Sequence, residues 1–238
     1  MQLILENIHK SFGDNQVLRG ASGSFDQGKI YALLGRNGSG KTTLFDLISE
    51  KKKKDQGKIY LKEGEKTRPL AQEDIFYMVA SPLLPNFLTG REFIQFFMDV
   101  NRDQIRGRWD LEELFSLLSF EKRYENQLIQ SYSLGTRNKL QMMMFLLLSP
   151  PVILMDEPLT SLDVVVQLQI KKLIKTMEAQ HIILFSTHIL QLAQDICDDL
   201  VILNQGLLHP LDGQKLRDPE FEGEIIRILS GEGETQDV

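Results

Sequence analysis

The chain has 238 residues, of which 42% are hydrophobic and 25% charged, and its formal net charge is −6. That suits one large α/β domain, or such a domain with an inserted subdomain. It argues against a general nucleic-acid binder, whose affinity rests on Lys and Arg neutralising phosphates. The single cysteine, Cys197, rules out an internal disulfide, fits a reducing compartment, and reads as a small buried hydrophobe.

The first residues, Met1 to Glu6, are too short and too soon charged for a secretory signal. Residues 2–8 and 22–34 read as strands, separated by the turn Gly13-Asp14-Asn15. The end of the second, Lys29 to Leu34, reads as a buried strand. It leads into Gly35-Arg36-Asn37-Gly38-Ser39-Gly40-Lys41-Thr42, the pattern G-x-x-x-x-G-K-[ST]. Three glycines let the backbone wrap a polyphosphate so that successive N–H groups, including those of Asn37 and Ser39, point inward. Lys41 is placed to reach the β- and γ-phosphates, and the Thr42 hydroxyl to ligate a bridging Mg²⁺. Thr43 belongs to the helix that follows, to Ile48, whose N-terminus carries roughly half a positive charge toward the anion.

Lys51-Lys52-Lys53-Lys54 follows that helix and reads as a solvated loop, with contact to anionic lipid as the minor alternative. Residues 57–62 and 74–79 read as two further strands. From about Leu88 to Ser149 the period becomes helical. Phe93, Phe96, Phe97 and Val100 form one stripe and Leu111, Leu114, Phe115 and Leu118 another; both read as core, as does Trp109. The longest apolar run, Met142 to Leu148, falls far short of the ~20 residues that span a bilayer.

Val152 to Met155, a helix over 163–178 and Ile182 to Phe185 complete a second strand–helix–strand run. The continuous apolar strands imply a mostly parallel sheet covered by helices. The expected organisation is one unit over 1–238. Its core spans 1–86 and 151–229, a helical subdomain spans 87–150, and a frayed tail spans 230–238. The strand at Val152 ends in Asp156-Glu157 at the sheet edge where ligands of open α/β folds bind. Asp156 suits a Mg²⁺ ligand, and Glu157 suits a group that polarises an attacking water.

Between these elements lies Ser131-Tyr132-Ser133-Leu134-Gly135-Thr136-Arg137, which resembles the signature motif of ATP-binding cassette (ABC) ATPases. The usual form is L-S-G-G-Q; Ser133 and Gly135 match, while Tyr132, Leu134 and Thr136 depart. Ser133 is also a good N-cap for a helix from Leu134 to Leu148. The Y-S-L-G turn and Leu88-Thr89-Gly90-Arg91-Glu92 resemble ATP-binding subunits of bacterial multidrug and antimicrobial-peptide exporters. Ser161-Leu162-Asp163 resembles the family's D-loop, Phe185-Ser186-Thr187-His188 its switch histidine, and Ser11-Phe12-Gly13 its adenine-stacking A-loop. The resemblance runs from residue 1 to about 228. It implies a P-loop NTPase fold with N-terminal antiparallel strands and an inserted helical subdomain, a second nucleotide-binding subunit, and an integral membrane permease. It also implies a cytoplasmic location, on the inner face of the membrane through that permease.

In the family, ATP lies between the P-loop of one subunit and the signature motif of the other, so Ser133 and Gly135 would complete a site in trans. This reading leaves open a dimer of like or of unlike subunits. His9, His181 and His209 lack comparable context. Ala80 stands where the family carries the Q-loop glutamine, which implies slow turnover, a substitute such as Ser81, or reliance on a partner. A soluble, non-transport ABC protein is the main rival, although soluble types usually hold two cassettes or long coiled-coil inserts. A P-loop kinase or GTPase would leave the signature and switch elements unexplained.

Overall fold

The computed structural model describes residues 1–105, 107–159, 164–213 and 221–230. Strand β1 (Gln2–Phe12) turns back through Gly13 and Asp14 into β2 (Asn15–Asp26). β1 also pairs with β4 (Gln56–Glu63), and β4 with β5 (Lys66–Pro69), all antiparallel. The resulting sheet is ordered β2-β1-β4-β5. Its buried side carries Leu3, Leu5, Leu18, Ala21, Phe25 and Leu61, a two-residue period broken between Leu18 and Ala21, where the β1–β2 register shifts.

The stretch 22–34 is not the one strand expected from the sequence. β2 ends at Asp26, and the chain turns at Gln27 and Gly28, where Gly28 takes φ 86°. β3 (Lys29–Leu34) then opens a second sheet. The turn is held by Gln27 N–H donating to the Met1 carbonyl (2.9 Å) and Gly28 N–H donating to that of His181 (3.0 Å). Glycine fits that left-handed backbone without a Cβ penalty, which lets the chain pass from one sheet to the other.

The second sheet is ordered β10-β9-β3-β8-β7-β6. It adds β6 (Ile75–Met78), β7 (Val152–Asp156), β8 (Ile182–Thr187), β9 (Asp199–Asn204) and β10 (Leu207–Leu211). All neighbours pair in parallel except β10, which runs antiparallel to β9. Every residue of β7 and β8 is buried, as expected of strands covered on both faces. Alternate residues divide between two cores. Tyr31, Leu33, Leu154 and Leu184 face the antiparallel sheet and α1 (Lys41–Ile48), while Ala32, Leu34, Met155 and Phe185 face the other helices.

Between β6 and β7 the chain forms α2 (Gly90–Val100), α3 (Leu111–Leu117), α4 (Lys122–Glu125) and α5 (Leu134–Leu148). Three α-helices come later among the described residues, α6 (Val164–Met177), α7 (Leu190–Ile196) and α8 (Phe221–Ser230). Ser230 closes α8 with its hydroxyl on the Arg227 carbonyl, so it is not part of a frayed tail; residues 231–238 lie outside the described residues. Leu114, Phe115 and Leu118 are buried as their spacing suggested, with Leu111 and Trp109 packed beside them. The stripe on α2 is only half right. Phe93 is buried and Phe97 packs on the core, but Phe96 is 59% and Val100 65% exposed, because the inward face turns toward Gly90 and Ile94.

Tyr132 explains one departure from the expected signature motif. Its ring is buried among Phe120 and Tyr124, and its hydroxyl accepts from Gly90 N–H (3.0 Å) while donating to the Tyr124 carbonyl. The residue before Ser133 therefore ties the start of α2 to the start of α5. Tyr132→Phe leaves both partners short of a hydrogen bond and is expected to cost about 1–3 kcal/mol. A lowered midpoint in chemical denaturation is the expected reading; an unchanged midpoint contradicts this role.

Candidate nucleotide site

Strand register brings the candidate residues to one edge. Leu34 lies opposite Thr187, and Asp156 opposite Ser186, so the segments leaving β3, β7 and β8 emerge side by side. The segment after β3 is Gly35 to Gly40, and α1 begins at Lys41. Gly38 and Gly40 take φ 81° and 105°, left-handed backbone suited to a tight loop, and Ser39 N–H donates to the Arg36 carbonyl across it (3.1 Å). A Cβ on Gly35 would meet Ser39 Oγ at 2.6 Å and the Leu203 carbonyl at 2.8 Å, so the cradle admits only glycine there without rearrangement.

Helix α1 has no side-chain cap, because its N-cap is Gly40, and its first N–H groups are left to an anion. Asn37 is exposed at the loop's tip, and Thr43, in the first turn of α1, is half-buried. The Ser39 hydroxyl is one of two buried side-chain polar atoms without a partner among the described residues. Lys41 is 6% exposed and donates to the carbonyls of Gly35 (2.8 Å) and Arg36 (3.3 Å). Burial pushes its pKa down, against the pull of Glu157 and Asp156. An orphaned hydroxyl, uncapped amides and an ammonium folded into its own loop fit a polyphosphate.

The Asp156 carboxylate is buried between two hydroxyls. Thr42 donates to Oδ2 (2.7 Å), and Ser186 donates to Oδ1 (2.5 Å). Tyr77, on β6, lies near Asp156 and Asp46; burial first, and then these carboxylates, push its phenol well above the usual range. Thr42 and Asp156 thus form a hard-oxygen pair suited to Mg²⁺. Glu157 adopts a left-handed backbone, φ 50°, and its Oε1 lies 3.0 Å from His188 Nδ1. Neither Tyr77 nor Ser186 was anticipated as a site residue; only the strand pairing reveals them.

Phe12 is half-exposed at the end of β1, with Lys10 and Lys52 at 5.3 and 5.6 Å from its ring centre. Lys52 also pairs with Asp46 of α1 (2.7 Å), which sets the aromatic ring beside the P-loop helix. Part of the lysine run is therefore engaged in specific contacts. Lys51 stacks on Tyr77 at 4.3 Å, in keeping with this. Ala80 follows β6, whose Met78 lies opposite Met155, so it stands level with Glu157; Ser81 is exposed. Beside Ala80, Gln141 of α5 donates to the Val79 carbonyl (3.1 Å).

Ser133 caps α5 by accepting from Thr136 N–H (3.2 Å). With Gly135 it borders a separate 180 Å³ cavity formed with Phe120, Glu121, Tyr124 and Lys139, apart from the P-loop of its own chain. Asp163, with Ser161 and Leu162, lies outside the described residues. His181 is buried against the Pro150 carbonyl, and His9 bonds Asn7. Burial pushes the Cys197 thiol up to about 12, in keeping with a packed hydrophobe.

A family model described as ABC transporter matches residues 18–160. The chain belongs to the ABC transporter family. This cassette is 32% identical over 215 residues to the sulfate/thiosulfate import ATP-binding protein CysA of Nephroselmis olivacea. The match covers 87% of the cassette but 62% of that relative, less than two thirds of its length. A solved ATP-binding subunit of an ABC transporter superposes with TM-score 0.80 over 96% of the cassette and 99% of that chain, at 22% identity. The dimeric bacterial ABC transporter cassette MJ0796 gives TM-score 0.75 over 89% and 98%, at 21% identity. Both likenesses place the fold in the same class as the cassettes.

Proposed function

We propose that the cassette binds and hydrolyses ATP to drive a membrane permease. The observation that carries this is the meeting of Lys41, Thr42, Asp156, Glu157 and His188 at one edge of the parallel sheet. Lys41 leaves its own carbonyls for the β- and γ-phosphates, and the amides at the start of α1 take the remaining oxygens. Phe12 stacks on the adenine. Thr42 and Asp156 hold Mg²⁺, which when bound neutralises charge on the phosphates. Glu157 polarises the attacking water and accepts its proton, while His188 keeps that carboxylate in place.

Because Ser133 and Gly135 lie apart from the P-loop of their own chain, they serve the site of a second nucleotide-binding subunit, like or unlike. Asp163, from its position in the motif, contributes beside them. Closure on ATP and reopening after hydrolysis form a two-state element that a partner can use. No helix among the described residues is long and apolar enough to cross a membrane, so the permease does the spanning and holds the cassette at the inner face. The segment from Ala80 to Gly90 presents Leu83 and Phe87 to solvent, 99% and 77% exposed, and is the surface offered to the permease. Residues 87–150 act as the signature subdomain and 1–86 with 151–229 as the nucleotide-binding core.

Export is the reading of the Tyr132-to-Gly135 turn, whereas the relative from Nephroselmis olivacea is named for import. Co-purification with a protein of several membrane spans supports the transport role; isolation with ribosomes or DNA instead supports a soluble cassette.

Glu157→Gln is expected to bind ATP, to lose about a hundredfold or more in hydrolysis, and to accumulate as a dimer on a sizing column. Hydrolysis at the unmodified rate removes Glu157 as the base. Ala80→Gln restores a donor and acceptor beside Glu157 and is expected to raise turnover about tenfold or more. An unchanged rate contradicts the slow-ATPase reading.

A further inference from the structure

We infer that Ser186 is a positioning residue that sets the aim of Glu157, an inference resting on the reading of Glu157 as the base. Ser186 is fully buried on β8, opposite Asp156 of β7. Its hydroxyl has one proton and two lone pairs. An ionised carboxylate only accepts, so the proton goes to Asp156 Oδ1 at 2.5 Å. That leaves a lone pair for the Glu157 N–H, which donates to Ser186 Oγ at 3.0 Å. One hydroxyl therefore fixes the carboxylate of Asp156 and the backbone of the next residue together.

The backbone needs such a hold. Glu157 sits at φ 50°, a conformation that residues with a Cβ rarely adopt and that persists only where the surroundings enforce it. The same strand end acts twice on Glu157. Ser186 holds its amide and His188, two residues on, meets its side chain at 3.0 Å. His188 is the first residue past β8, so both contacts come from the same end of that strand. Thr42 occupies the other oxygen of Asp156, which links the aim of Glu157 to the P-loop helix.

The test compares four proteins: unmodified, Ser186→Ala, Glu157→Gln, and the pair combined. Ser186→Ala is expected to lower kcat about tenfold or more while KM and the ATP Kd change less than about threefold. On the Glu157→Gln background the same change is expected to lower the residual rate by no more than about twofold, since no base remains to be aimed. Without nucleotide, Ser186→Ala is expected to speed amide exchange of Glu157 and to shift the His188 ring nitrogens in NMR. Ser186→Cys fills a similar space with only a weak donor; it is expected to unfold at the temperature of the unmodified protein yet match Ser186→Ala in kcat.

An unchanged kcat, an equal loss on both backgrounds, or a silent exchange and NMR comparison overturns the role of Ser186. If Glu157→Gln hydrolyses normally, the base assignment fails, and with it the catalytic aim given to Ser186. The exchange and NMR comparison, which needs no turnover, then shows whether the clamp on Glu157 exists without it.

Discussion

A buried carboxylate must be paired, and the pairing of Asp156 organises this molecule's site. An unpartnered charge in a sheet interior is costly, whereas hydrogen bonds to the ionised form recover much of that cost. Here the hydroxyl partners come from two elements, Thr42 on α1 and Ser186 on β8, with Tyr77 of β6 close by. Each bond also fixes a neighbour. Thr42 brings the P-loop helix against the strand, and Ser186 holds the chain as it leaves β7 at Glu157. Removing the carboxylate would thus release more than a metal ligand.

The phosphate cradle has the complementary character of polar groups held without enough partners. The Ser39 hydroxyl is orphaned, α1 lacks a capping side chain, and Lys41 turns back on the carbonyls of its own loop. Each deficit is a group that an anion satisfies. The surrounding core keeps these groups from relaxing. Gly40 lies where a Cβ would meet Val17 at 2.7 Å, so β2 presses against the loop from the antiparallel sheet.

Much of this was legible from the chain alone because the evidence was local. The strand before Gly35, the helix after it, and the apolar run ending in Asp156-Glu157 are contiguous signals whose chemistry follows from spacing. β9 and β10 were both missed, although Gln205 and Gly206, both with positive φ, join them as a two-residue hairpin. The break at Gly28 was hidden although Asp26-Gln27-Gly28 carries turn-forming residues, because Phe25 before it and Ile30 to Leu34 after it both read as strand. Phe96 and Val100 show the limit of periodicity, since spacing marks a stripe without saying which side of the helix meets a neighbour. Ser186 and Tyr77 had no local signature, because their roles arise from strand pairing between residues far apart in the chain.

The remaining departures from the family pattern differ in kind. Tyr132 replaces a packing residue with one that packs and also bonds α2 to the turn before α5, which gives its substitution a structural reason. Ala80 supplies no polar group at a position level with Glu157, and Gln141 reaches the carbonyl of Val79 beside it. The central claim, that the loop from Gly35 to Thr42 grips a nucleoside triphosphate, is met most directly by calorimetric titration with Mg-ATP of the unmodified cassette and of Lys41→Ala. Saturable binding that weakens at least about tenfold in the variant is the expected result, given the strength of charge-assisted bonds to phosphate. Equal affinity in the two proteins, or no binding to the unmodified one, would contradict the account.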